Sequence, residues 1–219
     1  MRALVVASLV LPLTFASAEL RGQSGSAVPS GLGLTILAHE ARVRTAAGAQ
    51  VPPERAVAQF GLELTVPTPV HALRLAGRIL RSTRGTEDLH STDAGVLLAG
   101  RIITFEAAFV RRGSYSPQTG GAHNQVAEFA RAGLRARVAV GNTGFAMHVR
   151  GNHYIPTQRA ADAADAAEGW EAESGVSYSV RRLPLTGMLG YRIERFRVFG
   201  VEQEVSSLTF ALGVHVLGR

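Results

Sequence analysis

The chain has 219 residues, a formal net charge of +6 and no cysteine, and all 23 of its basic residues are arginine. The absence of cysteine excludes a disulfide framework, a thiolate metal site and a cysteine nucleophile. Only 18% of the residues are charged, and no more than two basic residues stand in a row, so we predict no nucleic-acid partner.

The first 18 residues have the features of a secretory signal peptide. Arg2 precedes an apolar run over residues 3–15, and Ala16-Ser17-Ala18 supplies the small residues that a signal peptidase reads. The run is short for a membrane helix and contains Pro12; a buried N-terminal helix is the alternative. We predict cleavage after Ala18, a flexible Gly/Ser/Pro-rich lead-in over residues 19–30, and one domain over residues 31–219.

From residue 31 onward, apolar and polar residues alternate with period two, which is typical of strands with one apolar and one polar face. No later segment reaches 18 uninterrupted apolar residues, so a helical membrane protein is excluded. We predict ten strands, with eight as the alternative count. Their approximate ranges are 31–45, 56–66, 70–82, 91–100, 102–112, 124–140, 144–155, 169–182, 185–198 and 204–217.

Short and longer links alternate between the predicted strands. The alanine-rich stretch 160–167 could form a helical turn at the tip of one longer link. The predicted short links are 66–69, 99–101, 141–144 and 182–185, and the longer ones are 45–54, 82–91, 113–124 and 156–169.

The stretch FARAGLRARVAV, residues 129–140, decides how the arginines are interpreted. As a strand, it places Arg131, Arg135 and Arg137 on one face and small or apolar residues on the other; a helix would scatter them. The neighbouring segments alternate too, so a strand is favoured. The same sorting predicts one polar face over the whole sheet, formed by Arg74, Arg78, Arg131, Arg135, Arg137, His148, Arg150, Arg192, Glu63, Glu106, Glu171, Glu173 and Glu194.

On these features the sequence resembles bacterial outer-membrane β-barrel proteins. The resemblance implies an all-β fold, a closed antiparallel up-and-down transmembrane barrel in the cell outer membrane, with short periplasmic turns and long outer loops. It also implies contact with outer-membrane lipids and with the barrel-assembly machinery. Aromatic residues near strand ends would suit the interfacial girdles of such barrels: Phe60, Phe109, Phe145, Trp170 and Tyr178.

The cost of a lipid-facing charge places the polar face inside this barrel. An arginine at the bilayer midplane costs about 2–4 kcal/mol on the lipid side, whereas an inward arginine can pair with a carboxylate. A barrel of eight to ten strands is narrow enough for long side chains to fill. We therefore predict an arginine–glutamate network that plugs the lumen. An anion-preferring pore for a small anionic solute is the alternative, because arginine exceeds glutamate.

The sequence predicts no catalytic residue, metal site or cofactor. Its seven histidines show no zinc-binding spacing, and it lacks a G-x-S-x-G motif. The leading interpretation is a non-enzymatic outer-membrane barrel with a structural, adhesive or small-solute permeation role. One alternative is an outer-membrane protease or lipid A-modifying enzyme using His90, Asp93 or His123. The other is a soluble periplasmic lipocalin-like barrel that binds an apolar ligand. The oligomeric state stays open.

Overall fold

The computed structural model describes residues 32–47, 55–70, 72–84, 88–115, 125–157, 168–180, 183–198 and 201–216. These residues form ten strands, which confirms the larger of the two predicted counts. The strands are β1 (Leu32–Ala47), β2 (Arg55–Pro67), β3 (Leu73–Arg84), β4 (Asp88–Ala99), β5 (Ile103–Tyr115), β6 (Gln125–Ala139), β7 (Phe145–Pro156), β8 (Glu168–Ser179), β9 (Leu185–Val198) and β10 (Val201–Val216). The predicted signal peptide, the lead-in and the alanine-rich stretch lie outside the described residues.

The ten strands form one closed antiparallel barrel. Each strand pairs with its neighbours in sequence, and β1 pairs with β10 to complete the ring. Closure leaves no sheet edge with unpaired backbone groups, which is the condition for a sheet to stand in hydrocarbon. The predicted up-and-down topology is confirmed.

The register fixes the width of the barrel. We start at Gly33 on β1 and step from each residue to its paired residue on the next strand. After one circuit of the barrel this path returns to β1 at Thr45, 12 residues further along the strand. With strands about 4.8 Å apart and a rise of about 3.3 Å per residue, this stagger gives a tilt of about 40° and a backbone radius of about 10 Å. Side chains from opposite walls therefore meet inside.

The two ends of the barrel differ in their links. At the turn end lie the strand ends that flank residues 68–72, 100–102, 140–144 and 180–184, together with the first residue of β1 and the last residue of β10. At the loop end lie the strand ends that flank residues 48–54, 85–87, 116–124, 157–167 and 199–200. The predicted long link at 82–91 is wrong, because β3 runs to Arg84 and β4 begins at Asp88.

The link 140–144 shows how the sequence builds a tight turn. Gly141 and Gly144 have positive φ angles of 54° and 88°, a conformation that costs glycine little. Between them, the Thr143 hydroxyl donates to the Val140 carbonyl oxygen at 2.7 Å and accepts from the Phe145 amide at 3.2 Å. This turn therefore returns the chain with its polar groups satisfied.

The outer face of the barrel is an apolar belt. Outward side chains such as Ile36, Leu134 and Phe210 are half exposed, at 50–52%. Among the described strand residues, charged outward side chains lie only beyond this belt towards the loop end: Glu40, Arg42, Arg44, Arg81, Arg111, Glu128, Glu168, Arg195, Arg197, Glu202 and Glu204. In the described part of the chain, no helix is long and apolar enough to cross a membrane.

The inner face is polar at mid-height and apolar near the loop end. Strict alternation along β7, from exposed Phe145 to exposed Ile155, is typical of the wall. Two apolar clusters lie inside the loop end. One consists of Ala41, Val43, Val57, Leu89 and Val205, and the other of Val110, Ala127, Phe129, Tyr154 and Phe196.

Candidate functional site: the charge network of the lumen

All thirteen residues of the predicted polar face lie on the inner face of the barrel. Arg74, Arg78, Arg131, His148, Arg150, Arg192, Glu106, Glu171 and Glu194 are buried, and Arg135, Arg137, Glu63 and Glu173 are half-buried. Several ion pairs of the lumen join strands that are not neighbours in the sheet. Arg112 on β5 contacts Glu194 on β9, and Arg78 on β3 contacts Glu171 on β8, so these side chains cross the lumen.

Glu106 on β5 is one centre of the network. Arg150 donates to Glu106 Oε2 through Nε at 3.0 Å and through Nη2 at 2.7 Å. Arg135 Nε lies 2.9 Å from Oε1, and Arg131 Nη2 lies 4.0 Å from Oε2. The Glu106 side chain is fully buried, so three arginines compensate its loss of water.

Asp93 on β4 is a second centre, and it lies between two arginines. Arg78 Nε donates to Asp93 Oδ2 at 3.0 Å, and Arg131 Nη1 donates to the same oxygen at 2.7 Å. The sequence interpretation placed Asp93 near a loop. Asp93 lies well inside β4, within the predicted strand 91–100, and shares the parity of buried Leu89 and Leu97, so it faces the lumen.

Glu171 on β8 is held by neutral donors as well as by cations. The Tyr154 hydroxyl donates to Oε2 at 2.6 Å and Asn152 Nδ2 donates to Oε1 at 3.2 Å. Arg150 Nη1 lies 3.5 Å from Oε1, and Arg78 Nη2 lies 3.9 Å from Oε2. Arg150 and Arg78 thereby link Glu171 to both other centres.

Glu194 on β9 connects the network to the aromatic cluster near the loop end. Arg112 Nη1 donates to Glu194 Oε2 at 2.7 Å, and Arg192 Nη1 lies 3.1 Å from Oε1. The Arg112 guanidinium also lies 4.0 Å from the centre of the Phe196 ring, a cation–π distance. The sequence interpretation missed Arg112 as an inward residue, although it shares the parity of Glu106 along β5.

Two weaker pairs complete the set. His148 Nε2 lies 3.6 Å from Glu173 Oε1, and Arg135 Nη2 lies 3.7 Å from Glu63 Oε1. Among the described side chains, six inward arginines are thus paired with five carboxylates, and a sixth carboxylate, Glu173, contacts His148. The arginines are Arg78, Arg112, Arg131, Arg135, Arg150 and Arg192, and their carboxylate partners are Glu63, Asp93, Glu106, Glu171 and Glu194.

Packing leaves little free space around these pairs. One cavity, beside Gln59 and Arg112, holds about 10 Å³, and another, beside Glu106 and Arg131, holds about the same. A single water needs on the order of 10–15 Å³. Above the ion pairs, the rings of Phe129, Tyr154 and Phe196 pack with centroids 4.8–5.9 Å apart.

Of the residues considered for an enzyme, the structure describes His90 and Asp93, which lie on opposite faces of β4. Asp93 is bound between Arg78 and Arg131, and His90 follows inward Leu89 on β4 and so belongs to the opposite face. His123 lies outside the described residues. Within the described ranges, no group of three or more histidines or carboxylates could hold a metal ion.

The barrel is similar to solved bacterial outer-membrane β-barrels. The translocator domain of the autotransporter NalP from Neisseria meningitidis is 9% identical, over 85% of this chain and 89% of that one, with a TM-score of 0.48. The outer-membrane protease OmpT from Escherichia coli is 8% identical, over 89% and 99%, with a TM-score of 0.48. An outer-membrane channel from Pseudomonas putida F1 is 11% identical, over 90% and 100%, with a TM-score of 0.45.

These neighbours have different activities, so the likeness carries no function to this chain. No protein-family model matches the sequence, and no curated protein matches it. The closed barrel, its apolar outer belt and its polar interior have the architecture of a bacterial outer-membrane β-barrel protein. That is the resemblance that the sequence predicts.

Proposed function

We propose that this protein is a non-enzymatic outer-membrane barrel with a closed lumen, which serves a structural or adhesive role at the cell surface. The observation that carries the proposal is the filled interior, in which paired charges and packed aromatic rings occupy the space that a pore would need. Solute passage through the lumen is therefore disfavoured. The loop end and the outer wall remain as the surfaces through which the protein can contact partners.

The dimensions of the apolar belt support a membrane location. Along β1, the outward side chains are apolar from Leu32 to Ala38, and the first charge is Glu40. The step of eight residues from Leu32 to Glu40 rises by roughly 20 Å at a tilt of about 40°, close to the 25 Å band of outer-membrane barrels. The charged outer residues at the loop end then lie at the level of lipid headgroups. Contact with the barrel-assembly machinery follows from this location as part of the proposal.

The distribution of side chains disfavours the soluble alternative. A lipocalin-like protein would need apolar side chains around an internal cavity and arginines on the outside. Here Leu134 and Phe105 are 50% and 56% exposed, whereas Arg150 and Arg192 are 8% and 1% exposed. In water, such a belt would be a large aggregation-prone surface.

Fractionation of the cell envelope tests the membrane part of this proposal. We expect the protein in the outer-membrane fraction, soluble only with detergent, and with different gel mobility in boiled and unboiled samples. Recovery of a detergent-free monomer from the periplasm would refute it. Cleavage of peptides or lipid A modification by the purified protein would refute the non-enzymatic part.

A further inference from the structure

The turn-end half of the lumen differs from the network above it, because its cations have no counterions. Arg74 on β3 and Arg137 on β6 face inward there, and among the described residues neither forms an ion pair with a carboxylate. We call this region the basic vestibule and define it by Arg74, Thr104 and Arg137. The six paired arginines balance six carboxylates, so the vestibule carries the excess positive charge of the described lumen.

Arg74 is the least compensated of these cations. Its side chain is covered, with 4% of the residue exposed, and neither Nε nor Nη1 has a hydrogen-bond partner. Uncompensated burial of a charged donor is costly, and a charge-assisted partner removes that cost. An anion beside Arg74 would supply this partner.

Two further groups of the vestibule can contribute to the same anion. Thr104 on β5 is fully buried, and its hydroxyl oxygen has no hydrogen-bond partner. Arg137 is half-buried, lies near His215, and donates a long hydrogen bond from Nη2 to the Ser179 hydroxyl at 3.3 Å. A neutral hydroxyl leaves its positive charge uncompensated.

The register brings these three side chains to one height. Ala99 pairs with Thr104, and Thr104 pairs with Arg135, two residues before Arg137. Arg74 pairs with Leu97, two residues before Ala99. Because the strands tilt by about 40°, paired residues on neighbouring strands differ in height along the barrel axis. From β3 to β6, the offsets of two residues compensate for this difference in height. Arg74 and Arg137 thus flank Thr104 at the same level.

The rest of the wall at this end carries small and polar inward residues, and Thr35, Thr65, Ala76 and Ala211 are half-buried. The ring of His215 on β10 lies against Gly33 and Gly213, where an added side chain would meet it. The Nδ1 atom of His215 has no hydrogen-bond partner, so an anion at Arg74 and Arg137 would share this end of the lumen with an imidazole.

We propose that the basic vestibule binds a small oxyanion of the phosphate class, held by the guanidinium groups of Arg74 and Arg137 and by the Thr104 hydroxyl. Guanidinium groups suit this ligand because their planar donors match the oxygens of phosphate. The network above the vestibule stops the ion from passing on, so the vestibule is a binding site at a closed end. This goes beyond the structural or adhesive role proposed above and does not depend on it.

The test measures binding of inorganic phosphate to the folded full-length barrel in a zwitterionic detergent, by calorimetry at constant ionic strength with chloride as the balancing anion. We expect saturable binding by the wild type that Arg74→Gln and Arg137→Gln each weaken by about tenfold or more, the loss of a charge-assisted hydrogen bond pair. Arg81→Gln is the matched control, because Arg81 is exposed on the outer face of the same strand as Arg74. It should bind as the wild type does.

Thermal unfolding guards against a variant that merely misfolds. In chloride alone, Arg74→Gln should unfold at the wild-type temperature or above it, because the substitution removes a charge without a counterion. Phosphate should raise the unfolding temperature of the wild type and of Arg81→Gln, but not that of Arg74→Gln. Absence of phosphate binding by the wild type, or equal weakening by Arg81→Gln, would overturn the proposal.

Discussion

At the scale of single residues, the lumen is organised around shared carboxylates and not around separate pairs. Glu106 is contacted by Arg131, Arg135 and Arg150, and Arg131 also contacts Asp93. Removal of one partner of a buried pair leaves the other uncompensated. Since the described lumen already has excess positive charge, loss of a carboxylate should cost more than loss of an arginine.

We predict that Glu106→Gln lowers the free energy of unfolding by about 3–5 kcal/mol, because it strands buried cations. Arg135→Gln should cost distinctly less, since its side chain is 26% exposed and Glu106 retains Arg150. The double variant should be more stable than Glu106→Gln alone. Urea unfolding in lipid vesicles measures all three. Negligible effects of both single substitutions would indicate solvated charges in a water-filled pore.

The alternation of residues along each strand predicted which side chains face inward. The ion-pair partners of these side chains could be identified only from the register of the strands in the folded barrel. Alternation alone puts Glu106 and Arg150 on the polar face. It does not reveal that they meet, because cross-lumen contacts depend on the stagger of 12 residues around the barrel. Asp93 and Arg112 lay inside the predicted strands 91–100 and 102–112 and share the inward parity of Leu97 and Glu106, but their position near the loop end kept them off the predicted polar face.

At the scale of strands, alternate side chains of each strand face the apolar outer belt and the lumen. Leu134 on β6 is half exposed and lies near the middle of the belt, whereas its neighbours Gly133 and Arg135 face inward. Strand ends were harder to predict than strand faces. Near the loop end, polar residues such as Asp88 and Glu202 continue the pairing, so composition did not mark where the strands stop.

We predict that Leu134→Arg impairs assembly and lowers stability by about 2–4 kcal/mol, because it puts a charge into hydrocarbon. Ala139→Arg is the control on the same strand, since this position has inward parity and lies exposed at the turn end. The fraction of protein with heat-modifiable gel mobility reports assembly. Equal impairment by both substitutions, or the reverse order, would contradict a membrane-facing belt.

At the scale of the whole molecule, the barrel is narrow and its interior is filled in layers. Apolar and aromatic clusters lie near the loop end, balanced ion pairs lie at mid-height, and the basic vestibule lies at the turn end. Ten strands with a backbone radius of about 10 Å leave space for side chains but for little else. The composition of the polar face predicted a charged lumen. The arrangement of the interior in three layers could be recognised only in the folded structure.

Planar-bilayer conductance of the purified, refolded wild-type protein tests the closed lumen most directly. We expect no steady single-channel conductance in potassium chloride, under conditions in which an open porin reconstituted in parallel conducts. The layered filling and the cavities of about 10 Å³ are the physical reason. Stable, anion-selective channels in the wild type, lost or altered in selectivity by Arg135→Gln, would contradict the closed barrel and establish a pore.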